Sequence, residues 1–242
     1  MVEKNIILAE FFNGKPDVLH DQQNINADIN AIAKTLVQSA ERFDLSVHLL
    51  TDADFISKMP NLIMHKVDLF QHYPDISLYM ERLEPTFDFL MAHPEVEKAA
   101  LVDVGDVELL NYPFDEIEAD KLYIGNENGT VGSVPIVTSG PMPQYAQEFF
   151  LQHMNVPLVN PGVIVGTRAV LLEFIGKIAT LIAKSQLELA QDKPDASLGV
   201  YEMMIVNYVA YRYFAERMVQ GLKVNSTFQF YNHNVSSWFR HK

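Results

Sequence analysis

The 242-residue chain is 48% hydrophobic, enough for a full core, and one α/β domain of this length is the expectation. Its 18 Lys and Arg against 31 Asp and Glu leave a formal charge of -13, which repels a phosphate backbone and excludes nucleic acid as an expected partner. The lack of cysteine removes disulfides, thiolate metal sites and cysteine nucleophiles together.

In chain order, Asn5 to Ala9 is a short apolar run that ends at Phe11-Phe12-Asn13-Gly14-Lys15-Pro16, a first strand and its exit loop. Ile29, Ile32, Leu36, Ala40 and Phe43 recur at helical spacing, and Leu45 to Leu50 gives a second strand before Asp52-Ala53-Asp54. Strand, helix, strand is the pattern of a parallel crossover. Residues 55–80 show no clear period and are expected to be loop and short helix. A helix is expected over Leu78 to Met91, then a buried strand at Ala99 to Val102, and another strand at Lys121 to Gly125. The stretch from Asn126 to Pro143 is rich in Gly, Asn and Pro and reads as a loop. Beyond it the patterns predict a short helix over Gln144 to His153, a strand over Pro157 to Val165, and helices over Arg168 to Gln186 and Val200 to Val219. Residues 226–242 read as a C-terminal tail.

No window reaches the roughly 18 to 20 uninterrupted apolar residues that cross a bilayer. The opening residues lack the basic stretch and long apolar core of a signal peptide. A cytoplasmic location without a transmembrane segment is therefore expected.

The chemistry points to Ala99-Ala100-Leu101-Val102-Asp103-Val104-Gly105-Asp106, where two carboxylates stand at the carboxyl end of a buried strand. Open α/β sheets place their ligand sites there, and hard carboxylate oxygens are the ligands that magnesium and manganese prefer. The same two residues also suit a plain turn. Asp52 and Asp54 follow a strand too, but precede Phe55-Ile56 and read as a helix cap.

The stretch from Leu101 to Phe114 resembles the metal-binding strand end of glycosyltransferases of the GT-A fold. Val159-Asn160-Pro161-Gly162-Val163-Ile164-Val165-Gly166 is similar to the Asn-x-Gly-Val strand that lines their sugar pocket. The resemblance implies an α/β fold: a single GT-A, Rossmann-like domain over residues 1–242, with a mixed, mostly parallel central sheet flanked by helices. It departs from the usual Asp-x-Asp by one extra residue between Asp103 and Asp106.

The resemblance further implies Mn2+ or Mg2+ as cofactor, with Asp106 as metal ligand, Asp103 on the ribose or sharing the metal, and a C-terminal histidine, assigned to His233, as third ligand. Phe11, Phe12 and Asn13 would meet the base and ribose, and Arg82 the diphosphate, unless Arg82 is a surface ion pair with Glu81 or Glu84. Asn160 and Gly162 would orient the donor sugar or the acceptor. Glu202, in a weak match to a later acidic helix start that includes Asn207, or Asp195, would contact sugar hydroxyls or serve as a base. The implied activity is transfer of a sugar from a nucleotide-diphosphate donor, a UDP-sugar foremost, to a glycan, lipid or protein acceptor. A non-catalytic binding or interaction protein of the same fold, and a sugar nucleotidyltransferase, are the rival readings; for the latter, Gly14-Lys15 is a thin match to the glycine-rich basic loop it needs.

Overall fold

The computed structural model describes residues 2–14, 27–73, 75–138, 140–226 and 236–241. It is an α/β structure. Strands β1 (Asn5–Phe11), β2 (Val47–Thr51), β3 (Leu62–Lys66), β4 (Lys98–Asp103), β6 (Leu122–Thr130), β7 (Pro157–Thr167) and β8 (Met218–Gln220) form a seven-stranded mixed sheet among the described residues. Its order is β3-β2-β1-β4-β7-β6-β8. All neighbours run parallel except β7, which is antiparallel to both β4 and β6. A second sheet joins β5 (Val107–Leu109), β10 (Phe239–His241) and β9 (Asn225–Ser226).

Alternation along β1 divides the core between the two faces of the sheet. Ile7 and Ala9 pack with Ala33, Leu36, Val37 and Ala40 of α1 (Ile29–Glu41). Ile6 and Leu8 lie in the opposite core with residues of three helices: α3 (Leu83–Ala92), α6 (Arg168–Leu189) and α7 (Met203–Tyr213). Asp28 caps α1 by accepting from the Asn30 and Ala31 amides, so the β1–α1–β2 unit is the expected parallel crossover. Two further short helices, α4 (Pro135–Thr138) and α5 (Gln144–Gln152), precede β7. No helix among the described residues is long and apolar enough to cross a membrane.

Six expectations are corrected. β6 runs on to Thr130 and α4 covers Pro135–Thr138 within the stretch expected to be a loop, and β10 pairs with β5 inside the segment expected to be a tail. β3 occupies part of the segment expected to be loop; as an edge strand it is mostly half-buried and lacks an alternating pattern. The helix expected over 78–91 is two helices, α2 (Leu78–Glu81) and α3, which meet at Arg82. The last helix stops at Tyr213 rather than Val219, because Leu122–Ile124 recruits Met218–Gln220 as edge strand β8. No helix follows Asp52 and Asp54: Asp52 accepts from the Asn13 amide (2.9 Å) and Asp54 pairs with Lys66 (2.5 Å).

Candidate metal centre

Parallel pairing of β1 and β4 sets Glu10 directly opposite Asp103, so two carboxylates share the carboxyl edge of the sheet. After β4 the chain turns through residues 104–106 and re-enters structure as β5, where buried Val104, Val107 and Leu109 pin it on both sides of the turn. β10 runs antiparallel to β5 with His241 opposite Val107, which brings the imidazole beside Asp106. His241 Nε2 is 3.8 Å from Asp103 Oδ2 and 3.6 Å from Asp106 Oδ2. One donor atom from each of the three residues lies within 4.8 Å of the others.

The final strand docks because its inward residues are large and apolar. Trp238 and Phe239 are buried, and the Trp238 and Tyr123 ring centroids lie 5.0 Å apart. Burial of side chains this large contributes about 1.5–3 kcal/mol each. The Trp238 carbonyl accepts from the Leu110 amide (2.7 Å). Alternation then turns Arg240 out to pair with Glu108 and His241 in toward the carboxylates.

The other wall comes from β6 and β7, whose pairing is interrupted at Gly125. Two buried asparagines satisfy the backbone groups that this irregularity leaves without ladder partners. Asn207 accepts from the Val159 amide (3.0 Å) and donates to its carbonyl (2.9 Å); Asn225 does the same for Asn126 at 3.0 and 3.2 Å. Asn160 Oδ1 then accepts from the Gly162 amide (2.8 Å). Gly162 is a close approach: a Cβ there would lie 2.7 Å from both Asp103 Oδ2 and His241 Nε2, so only glycine leaves the cluster room.

Arg82 ties the sheet edge to the helices. Its Nη1 bonds Asp103 Oδ1 at 2.9 Å and lies 4.0 Å from Glu10 Oε2, while Nη2 is 3.1 Å from Glu202 Oε1 at the start of α7. Thr86 donates to Glu10 (2.5 Å). Burial opposes the Arg82 charge, but Glu202, Asp103 and Glu10 outweigh it and hold the guanidinium firmly protonated. Burial pushes Glu202 up to about 7 against the pull of Arg82, and it raises Glu10 in the same way. Burial also raises Glu127, against the attraction of His241 and a hydrogen bond with Asn160. For His241, burial would lower the imidazole, but the hydrogen bond to Asp106 and the charges of Asp103, Asp106 and Glu127 raise it above the ordinary value. Five carboxyl groups thus stand against two basic groups, Arg82 and His241, and an added divalent cation would favour the ionised form of the carboxyls that burial raises.

Of the residues singled out in the sequence, Asp103, Asp106, Arg82, Asn160, Gly162 and Glu202 converge here. Arg82 pairs with Asp103 and Glu202 rather than lying in a surface pair with Glu81 or Glu84. Asp195 does not converge: it is exposed on a 3-10 turn, Pro194–Ala196, packed on the end of α6 through the Ser185–Ala196 bond. Phe12 is a core residue and Phe11 packs on the α1 side, since consecutive positions face opposite ways. Asn13 is held by Asp52. His233 lies outside the described residues; the histidine brought to the carboxylates is His241. His241, Glu10 and Glu127 are additional members of the site. Alternation over Phe239-Arg240-His241 turns the first of them inward, but what it meets there is set by the pairing with β5.

No protein-family model matches the sequence, and a search of curated proteins finds none that matches.

Proposed function

We propose that the chain is a metal-dependent glycosyltransferase that moves a sugar from a nucleotide-diphosphate donor, a UDP-sugar foremost, to a glycan, lipid or protein acceptor. The observation that carries this reading is the convergence of Asp103, Asp106 and His241 at the carboxyl edge of β4. The two carboxylates suit Mn2+ or Mg2+, and glycine at position 162 keeps a Cβ out of the cluster. When bound, the metal supplies Lewis-acid stabilisation of charge on a departing diphosphate.

The protein's own groups do the rest. Arg82 orients Asp103 from behind and leaves its second oxygen toward His241. Glu202, which burial pushes up to about 7 against the pull of the guanidinium, offers a carboxyl for sugar hydroxyls or for general-base work. Asn160, fixed by Gly162, and Glu127 present polar groups from the opposite wall.

Thermal shift with uridine and guanosine diphosphates, each with and without manganese, tests the reading. Metal-dependent stabilisation is expected for at least one nucleotide, about 2.7 kcal/mol at a hundredfold excess over Kd. Asp106→Ala is expected to abolish the manganese-dependent part. No manganese-dependent shift with either nucleotide, or an unchanged shift in the variant, refutes it.

A further inference from the structure

The loop ahead of α7, residues 197–202, is clasped to the α2–α3 junction by three successive contacts. Ser77 Oγ donates to the Val200 carbonyl (2.6 Å), the Tyr79 and Tyr201 rings meet edge to face with centroids 5.8 Å apart, and Arg82 pairs with Glu202 (3.1 Å). Gly199, at φ +73, turns the chain into this clasp, and a Cβ there would lie 3.2 Å from the Pro141 carbonyl. The segment after residue 140 therefore closes behind it.

The contacts are ordered from solvent to metal centre. Val200 is 48% exposed, both tyrosines are half-buried, Glu202 is buried with the half-buried Arg82 against it, and Arg82 then reaches Asp103. Tyr79 and Arg82 are three residues apart across the helical junction and share a face, and Tyr201 directly precedes Glu202. The aromatic pair thus forms the outer part of the wall whose inner part is charged.

We infer that Tyr79 and Tyr201 are an aromatic platform for a sugar ring of the acceptor, so that the acceptor is a saccharide rather than a protein side chain or a lipid alcohol. The inference rests on the transferase reading above and names the substrate for its second half. A pyranose offers a C–H face that packs on a π face and a rim of hydroxyls that need hydrogen-bond partners. Tyrosine matches both with an apolar body and a polar tip, and ordering it costs little rotamer entropy. A ring seated on the pair has its inner rim toward Glu202 and Arg82, a charged acceptor and donor suited to hydroxyl groups.

Saturation-transfer NMR on the full chain with maltose, cellobiose and lactose tests this without requiring turnover. At least one disaccharide is expected to bind the wild type. Tyr79→Leu and Tyr201→Leu, which keep apolar volume but remove the π face, are each expected to weaken binding about 3- to 10-fold. Tyr79→Phe and Tyr201→Phe keep the face and are expected to stay within about 3-fold of wild type. All four are expected to retain cooperative melting and the manganese-dependent nucleotide shift, which separates acceptor from donor. Failure of every disaccharide to bind the wild type, or equal binding by folded Leu variants, overturns the platform. Disaccharide binding without any manganese-dependent nucleotide shift would leave the platform standing and remove the transferase reading; a nucleotide shift without saccharide binding does the reverse.

Discussion

Replacing Arg82 with Met keeps much of the side-chain volume and removes the cation that Glu10, Asp103 and Glu202 share. Breaking a buried ion network by deleting one partner costs about 3–5 kcal/mol, because the remaining charges stay desolvated and unpaired. At about 2–4 °C per kcal/mol for a chain of this size, melting should fall by about 6–20 °C. The pH dependence gives the sharper test. Glu202 already has its folded pKa raised to about 7, above the unfolded carboxyl value. Such a group stabilises the fold fully below its unfolded pKa and loses that contribution as pH rises through the folded one. Without the guanidinium, Glu202 and Glu10 move higher still, so Arg82→Met should be close to wild type near about pH 5.5 and most deficient near about pH 8. Thermal melts followed by circular dichroism in the presence of a chelator read this difference directly. A deficit that is the same at both pH values, or a melting change under about 2 °C, would mean that the guanidinium is not the counter-ion of a buried cluster.

Gly162→Ala introduces a Cβ at 2.7 Å from Asp103 Oδ2 and His241 Nε2; the crowding should cost about 1–3 kcal/mol and abolish manganese binding measured by electron paramagnetic resonance. Trp238→Ala removes the anchor of β10 rather than any ligand. It should cost about 3–5 kcal/mol in denaturant titrations and weaken manganese binding, while a variant with undiminished metal affinity would separate the strand from the site. At the far edge of the sheet, His48 Nδ1 and His65 Nε2 are 2.8 Å apart, a bond that cannot survive protonation of both rings. Burial, helped by His48 and His93, pushes His65 down to about 4. A depressed histidine stabilises the fold above its unfolded pKa and loses that contribution as pH falls toward the folded one, so His65→Phe should flatten the stability loss between about pH 6.5 and pH 4.

The first half of the sheet was legible because each element there satisfies its local pattern and its tertiary environment together. Ile6 to Ala9 are fully enclosed, so the strand is a plain apolar run, and α1 has one buried face that repeats at helical spacing. β3 and β8 were not legible, since edge strands are defined by what they pair with rather than by enclosure on both faces. The apolar residues Phe214, Met218 and Val219 continue the helical period past the true end of α7. Asp103 and Asp106 could be found from the strand they terminate. Glu127 could not: it sits beyond a β-irregularity whose backbone groups are satisfied by Asn207 and Asn225, residues that lie far along the chain. His241 was missed for a similar reason, because its role depends on a pairing with β5 across more than half the sequence.

That long-range assembly has a thermodynamic consequence. Asp103 is rooted in the main sheet, while Asp106 and His241 belong to the turn and small sheet formed by β5, β9 and β10. α1 steadies β5 from one side, with Ser39 accepting from the Leu109 amide (2.9 Å) and Arg42 donating to its carbonyl (2.6 Å). Trp238 and Phe239 hold β10 from the other. A cation held by all three donors binds only when β10 is docked, so metal binding and docking of the last strand are linked equilibria. If the three donors hold a cation, its binding free energy also protects the Trp238 contact, and a change that weakens the contact lowers apparent affinity only in proportion to the fraction of molecules in which β10 is undocked.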